Sequence, residues 1–255
     1  MNSISKTLYI PLRGKAWVSG KGLILHDPSA EEIWAREGFP LKGKSASKWL
    51  AYYLGMRAAV FDRWTRGRME EDPTAVVIHI GCGLDSRCLR VGHAGQLWFD
   101  LDLPPVMEER RRYFRDGDNY TMVAADVTDP RWLEQIPGGN AIVVMEGVSM
   151  YLHPEALQQA LDRMAEHFDT MYLLMDCYTT FAARASRYRN PINDVGVTQV
   201  YGMDDPNALK GFVRELDMTP GDLVDQLSGM EGKIFRKLYA GSIARKTYRL
   251  YEYRR

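Results

Sequence analysis

The sequence has little cysteine and no excess of either charge, and each absence excludes a class of protein. Cys82, Cys88 and Cys177 are too few and too irregularly spaced for a disulfide framework or a cysteine-based metal site, so we expect them to be reduced. Thirty-three Lys and Arg balance thirty-three Asp and Glu among 255 residues. Because nucleic acid is held through a net basic field, this balance disfavours it as the main partner.

Long apolar runs and paired histidines are absent as well. No stretch approaches the roughly 18–20 apolar residues that span a bilayer, and the first twelve residues lack the pattern of a signal peptide. The five histidines are scattered, without the spacing that places two metal ligands on one helix face. We therefore expect a cytoplasmic protein with no membrane partner and no metal site.

The chain does contain a long alternation of strand and helix patterns. Apolar residues at steps of three and four predict helices over 45–69 and 154–168, and Pro28 favours a short helix after Asp27. Short β-branched runs, typical of buried parallel strands, occur at 75–80, 96–101, 121–125, 141–146 and 170–176. This alternation predicts an α/β fold, a Rossmann-like, doubly wound and mainly parallel sheet with helices on both faces.

The end of the chain follows a different pattern. Residues 207–216 and 222–227 are predicted to be helical. Two short alternating runs, 233–240 and 246–253, are predicted to pair as antiparallel strands at the edge of the sheet.

The length favours a single domain. Within it we expect residues 1–72 to form a wrapping N-terminal segment and helical extension, and residues 73–255 to form the core. A variable acceptor-binding or lid region is expected at about 178–230. Its Arg- and Tyr-containing part, 184–205, could cover an acidic, ring-containing substrate, and a solvated charged loop is the alternative.

In such a sheet, ligands bind at the carboxyl ends of the strands. Gly81 and Gly83 follow the first predicted strand, and Asp102, Asp126 and Glu146 lie at the ends of the next three. Asp102, about twenty residues beyond the glycines, can accept hydrogen bonds from both hydroxyls of a ribose. Asp126 can accept one from an adenine amino group. These positions predict an adenosine pocket.

The presence or absence of phosphate distinguishes the possible adenosine cofactors. A dinucleotide fingerprint requires a third glycine where this chain has Ser86, and Asp85 would repel a pyrophosphate. An acidic rim of Asp85, Asp102, Asp126 and Glu146 favours S-adenosylmethionine, which carries a sulfonium and an ammonium group. A catalytically silent S-adenosylmethionine-binding protein and, less favoured, an NAD(P)-dependent oxidoreductase remain the alternatives.

Four motifs carry a resemblance to a known family: VVIHIGCGLDSRCLRVG, WFDLDLPPVMEERRR, AADVTDPRWL and MEGVSMYL. They resemble the leucine carboxyl methyltransferase family, and within it the bacterial tetracenomycin polyketide-type O-methyltransferases. The resemblance extends from Thr7 to about Cys177. It implies a class I S-adenosylmethionine-dependent O-methyltransferase that acts on a small molecule and releases S-adenosylhomocysteine.

The resemblance also implies roles for individual residues. Arg57 is expected to clamp the cofactor carboxylate, with a solvated helix arginine as the alternative, and Glu146 to lie beside the methionyl ammonium. The cofactor-binding residues that it implies are Arg57, Gly81, Cys82, Gly83, Asp102, Leu103, Asp126, Val127, Glu146 and Gly147.

The acceptor is predicted from the need for a base. A carboxylate is already ionised at neutral pH, whereas a phenol requires a base or a cation. No histidine–carboxylate pair stands among the motifs, so we expect a methyl ester on an acidic, aromatic small molecule of polyketide or other secondary-metabolite type, with a phenolic ether as the alternative. Tyr151 is expected to position the acceptor, and His153 is the candidate base for a phenol.

Overall fold

A computed structural model describes residues 7–39, 41, 43–93, 95–189, 199–241, 244 and 246–255. None of the helices in these ranges combines the length and apolar content that a membrane span requires. The helices are α1 (Tyr9–Ser19), α2 (Pro28–Glu37), α3 (Lys48–Glu71), α4 (Arg87–Val91), α5 (Pro104–Arg110), α6 (Pro154–His167), α7 (Thr180–Arg189), α8 (Gly221–Val224) and α9 (Gly229–Phe235). The strands are β1 (Val76–Ile80), β2 (Trp98–Asp102), β3 (Tyr120–Ala124), β4 (Asn140–Met145), β5 (Thr170–Tyr178), β6 (Phe212–Leu216) and β7 (Tyr248–Arg254).

The seven strands form one sheet in the order β3-β2-β1-β4-β5-β7-β6. Strands β1 to β5 are mutually parallel, and β7 runs antiparallel to both of its neighbours. The strand order reverses between β1 and β4, which is where a doubly wound sheet opens a crevice for a ligand. The five predicted parallel strands and the fold class are confirmed.

Strand β4 shows how the sheet is buried on both faces. Ala141, Val143 and Met145 pack on one side with Leu157 and Leu161 of α6. The alternate residues Ile142 and Val144 pack on the other side, where α3 lies. Because both faces are covered, the strands are continuous apolar runs, as the sequence indicates.

Two predictions for the end of the chain are wrong. Residues 233–240 are helical, and the rings of Phe235 and Tyr239 stack at 5.0 Å within this helix. These two residues are separated by four positions, a spacing that places side chains on one face of a helix and also on one face of a strand, so the apolar pattern does not distinguish the two. The stretch 207–216, predicted to be one helix, is broken at Lys210 and Gly211, which have positive φ, and its second half is the strand β6. The antiparallel edge pair is therefore β6 with β7.

Helix α1 is also missing from the sequence-based expectations, because Pro11 and Gly14 suggest a broken chain. Pro11 falls in the first turn, where the backbone N–H has no partner within the helix. Gly14 faces α3 closely, and a Cβ there would lie 2.9 Å from the Cβ of Leu54. The two residues are thus compatible with a helix that packs tightly on α3.

Candidate functional site

Two cavities open at the carboxyl ends of the parallel strands. The larger encloses about 660 Å³ and the smaller about 450 Å³. The residues that line both are Thr7, Leu8, Gly81, Gly147 and Tyr151. The cavities therefore adjoin, and one elongated ligand can occupy both.

The smaller cavity collects residues from the ends of β2 and β3. Asp102 and Leu103 line it together with Asp126 and Val127. The carboxylate of Asp102 accepts hydrogen bonds from the backbone N–H groups of Gly83 (2.8 Å) and Leu103 (2.8 Å), which hold it in one orientation. Burial raises the pKa of Asp102. The structure thus brings together the side chains that the sequence predicts for an adenosine pocket.

Gly81 lies where the two cavities meet. Its φ is +66°, and a Cβ at this position would lie 2.1 Å from Cγ2 of Val148. Its backbone N–H donates to the carbonyl of Leu101 on β2 (2.7 Å), which extends the pairing of β1 with β2 by one residue. Only glycine combines this backbone conformation with such a close approach of the loop after β4.

The larger cavity is built around Arg57, which is buried on α3. Its Nε donates to Glu146 (2.9 Å), while Nη1 lies 3.0 Å from Asp176 and donates to the hydroxyl of Tyr248 (2.9 Å). Among the described residues, none supplies a hydrogen-bond acceptor to Nη2, which lies beside Gly147. The burial excludes the alternative of a solvated helix arginine.

The prediction of an acidic rim is wrong for two of its four carboxylates, Asp85 and Glu146, because both are ion-paired. Asp85 lies 2.9 Å from Lys15 and 2.6 Å from Arg90. Glu146 pairs with Arg57 and Arg87. Burial would raise the pKa of Glu146, but the two guanidinium groups lower it to about 2. Neither carboxylate is therefore a free negative charge or a useful base.

These pairs belong to a continuous buried network, which we call the ion network. Arg87 and Arg90 extend it to Asp62 and Asp27, and Arg57 extends it to Asp176. Its members within the described ranges are Lys15, Asp27, Arg57, Asp62, Asp85, Arg87, Arg90, Glu146 and Asp176. The network connects α1 and the turn after β1 to the ends of β4 and β5.

Tyrosines make up much of the wall of the larger cavity. Tyr53 stacks on Tyr239 at 5.0 Å, and Tyr178 meets Tyr248 edge to face at 4.9 Å. Tyr151 lines the same cavity at its border with the smaller one. Burial raises the pKa of Tyr53, Tyr151 and Tyr248 above the usual value for a phenol. At neutral pH this wall presents aromatic faces and neutral hydroxyl groups.

Two residues considered for the acceptor lie elsewhere. His153 precedes α6, is exposed and contacts Tyr201 edge to face at 5.2 Å, and it lines neither cavity. Arg184 on α7 is exposed and does not line them either, whereas Phe181 and Ser186 line the larger cavity. The predicted lid over 184–205 lies partly outside the described residues, as do the side chains of residues 187–189.

Sequence reasoning missed Asp176 and Tyr248. Asp176 lies near the end of the fifth predicted strand, so the strand-end rule that identifies Asp102 and Glu146 could have found it. Tyr248 has no such signal, because its place is set by the antiparallel pairing of β7 with β5, which puts it opposite Tyr178.

Comparison with known sequences identifies relatives of this chain. The family model of leucine carboxyl methyltransferases matches residues 13–165. The tetracenomycin polyketide synthesis O-methyltransferase of Streptomyces glaucescens is 30% identical over 217 residues, which cover 84% of this chain and 80% of the relative. An S-adenosyl-L-methionine-dependent methyltransferase of Gibberella zeae is 27% identical over 186 residues, which cover 67% of this chain and 62% of the relative.

Solved structures share the fold at low sequence identity. A DUF574 family protein of Streptomyces avermitilis superposes with a TM-score of 0.58 and 10% identity, covering 95% of this chain and 96% of the other. An O-methyltransferase family protein of Burkholderia thailandensis has a TM-score of 0.51 and 14% identity, covering 89% of this chain and 71% of the other. These likenesses support the fold alone.

Proposed function

The chain belongs to the leucine carboxyl methyltransferase family, and from this premise we propose that it forms a methyl ester on a carboxylate of an aromatic small molecule. It is an S-adenosylmethionine-dependent O-methyltransferase. The acceptor and the roles of individual residues are the parts that we propose.

The adjoining cavities fit S-adenosylmethionine, which when bound supplies an electrophilic methyl group on its sulfonium. In the smaller cavity, Asp102 would accept hydrogen bonds from the ribose and Asp126 from the adenine amino group, beside Val127. The shared border at Gly81 and Gly147 lets the same ligand continue into the larger cavity.

In the larger cavity, Arg57 and Glu146 would hold the amino-acid part of the cofactor. Arg57 lines the cavity, and its Nη2, which lies beside Gly147, would donate to a carboxylate as a charge-assisted hydrogen bond. Glu146, kept ionised by its two arginines, would lie beside the ammonium group. Both side chains are fixed by the ion network, so they are oriented before a ligand binds.

One observation carries the choice of a carboxylate acceptor: among the described residues of the wall beside the cofactor site, no carboxylate or phenolate is free to take a proton, and the one imidazole is buried beside a carboxylate. Its tyrosine hydroxyl groups are neutral at pH 7, and Glu146 is ion-paired. His79 also lines the cavity, and its Nδ1 lies 3.3 Å from Asp100; this buried histidine–carboxylate pair corrects the expectation that the motifs contain none. An acceptor that arrives ionised needs no base, whereas a phenol would depend on this one buried pair.

The aromatic character of the acceptor is inferred from the same wall. Tyr53, Tyr178, Tyr239 and Tyr248 present ring faces and edges that favour a planar, ring-containing molecule. The Streptomyces relative takes part in polyketide synthesis according to its name, which agrees with such a substrate. Tyr151, on the border of the two cavities, is the residue that we expect to position the acceptor.

The test uses pairs of acceptors that differ only in the reacting group. A panel of polycyclic aromatic hydroxy acids is incubated with methyl-labelled cofactor, beside the matching carboxamides, which keep the rings and the phenol. We expect label on the acids alone, and its release as methanol in mild alkali. Label on the carboxamides, or label that survives alkali as an aryl ether, would overturn the ester proposal and direct attention to His79, the histidine that lines the larger cavity.

A further inference from the structure

The side chain of Tyr248 contacts both the aromatic wall of the larger cavity and the side chains around Arg57. Its ring meets Tyr178 at 4.9 Å and Tyr53 at 6.2 Å, so it forms part of the aromatic wall. Its hydroxyl donates to Oδ2 of Asp176 (2.6 Å) and accepts from Nη1 of Arg57 (2.9 Å). Tyr248, on β7, is thus hydrogen-bonded to Arg57, for which we propose cofactor binding, and is also part of the aromatic wall, which we propose faces the acceptor.

Asp176 extends this connection to the loop after β4. Its Oδ1 accepts from the backbone N–H of Gly147 (2.6 Å), next to Glu146 in the chain. Burial raises the pKa of Tyr248 well above that of a free phenol, so the hydroxyl keeps its proton at neutral pH and donates it to Asp176. Because its proton is donated to Asp176, the hydroxyl oxygen can only accept a further hydrogen bond, and it accepts one from Arg57.

The guanidinium group of Arg57 is consequently held at two of its three nitrogens. Nε is bonded to Glu146 and Nη1 to Asp176 and Tyr248. This arrangement directs the remaining nitrogen, Nη2, toward Gly147 and the cavity. Without the hydroxyl of Tyr248, Nη1 would keep one partner instead of two, and the plane could rotate about its bond to Glu146.

We propose that Tyr248 is a positioning residue for methyl transfer, which orients Arg57 so that Nη2 meets the carboxylate of the cofactor. The inference rests on the role proposed for Arg57. Tyr248 lies outside the stretch matched by the family model, residues 13–165, so the family match does not assign it. The C-terminal edge of the sheet would thereby contribute to the cofactor site as well as to the acceptor wall.

The experiment compares two ligands by calorimetry. S-Adenosylhomocysteine has the amino-acid part, whereas 5′-methylthioadenosine has the same adenosine without carboxylate or ammonium. In Tyr248→Phe, which keeps the ring, we expect the Kd of S-adenosylhomocysteine to rise about tenfold and that of methylthioadenosine to stay within about twofold, because the lost hydrogen bond acts through Arg57. Asp176→Asn is the second variant and should show the same selective loss.

The matched control is Tyr251→Phe. Tyr251 is buried on the same strand and its hydroxyl accepts from Arg249 (2.9 Å), but it lines neither cavity. Its substitution should leave both Kd values unchanged. Equal weakening of both ligands in folded Tyr248→Phe, or no weakening of either, would overturn the proposal.

Arg57→Lys separates this inference from the proposal on which it rests. If Arg57→Lys weakens S-adenosylhomocysteine selectively and Tyr248→Phe does not, the role of Arg57 stands and that of Tyr248 is wrong. If Arg57→Lys shows no selectivity either, Arg57 does not meet the carboxylate and both are wrong.

Discussion

Gly81, at the border of the two cavities, is a position where the structure does not accommodate a larger residue. Gly81 combines a positive φ with contact to Val148, and this contact brings the turn after β1 against the loop after β4. The two loops carry groups from both halves of the site, so an added methyl group at one point affects both cavities.

For Gly81→Ala we expect a loss of about 2–4 kcal/mol in the free energy of unfolding, because the new Cβ requires strained backbone and overlaps Val148. Urea unfolding measures it. The double variant Gly81→Ala with Val148→Ala should recover the part due to overlap but not the part due to φ. Gly67→Ala is the control, since a Cβ in this position of α3 meets nothing within 4 Å and should be neutral or slightly stabilising. A Gly81→Ala protein as stable as the parent would contradict the geometry.

At the scale of elements, the long helix α3 is tied to the antiparallel edge of the sheet by one carboxylate. Glu252 of β7 is buried and accepts from Nε1 of Trp64 (2.8 Å) and Nε of Arg68 (3.0 Å), both on α3. It also accepts from Nε of Arg214 (2.9 Å), which lies directly opposite it on β6. The helix that presents Arg57 and the strand that presents Tyr248 therefore have a common anchor.

Glu252→Ala should lower the free energy of unfolding by about 2–3 kcal/mol, because it removes a shared acceptor of an indole N–H and two arginines, of which Arg68 retains Glu71. Chemical denaturation followed by circular dichroism is the measurement. Glu215→Ala, an exposed carboxylate on β6, provides the comparison and should change stability by less than about 0.5 kcal/mol. Similar losses in the two variants would show that Glu252 is no more than a surface charge.

On the scale of the whole molecule, buried carboxylates determine how stability depends on pH. Burial acts to raise the pKa of Asp100, but Arg110 and neighbouring donors lower it to about 2, and Glu146 is also lowered to about 2. In the unfolded chain these groups titrate near 3.8 and 4.5. The unfolded state therefore takes up protons first as the pH falls, and stability falls with it.

We expect the free energy of unfolding to be nearly constant between about pH 6 and 8 and to fall progressively from about pH 5 to 2. Asp100 accounts for about 2 kcal/mol of this loss and Glu146 for about 3 kcal/mol. Asp102 and Asp176, whose pKa values are raised, oppose it in part. In Asp100→Asn the decline should be shallower, as measured by urea unfolding at several pH values. An unchanged slope would mean that Asp100 is not the ionised partner of Arg110.

The sequence by itself determined the parallel part of the fold and the class of cofactor. The strands β1 to β5 follow from local apolar runs. Because their carboxyl ends share one edge of a sheet, the sequence pattern alone places Gly81, Asp102, Asp126 and Glu146 near one another. Glu146, in the motif MEGVSMYL, shows the limit of this approach. Its position follows from the pattern, but its ion pairs with Arg57 and Arg87 do not.

Tertiary structure decided what depends on contacts distant in sequence. The partner of β7 is β6 rather than residues 233–240, since spacing by four fits a helix and a strand alike until packing selects one. The turn after β1 receives Lys15 from α1, and Arg57 receives Tyr248 from a strand almost 200 residues away, contacts that no local pattern encodes. The charge of the acidic strand ends and the orientation of Arg57 are consequences of these contacts, because a buried ion is held by whatever partners the fold brings within hydrogen-bond distance.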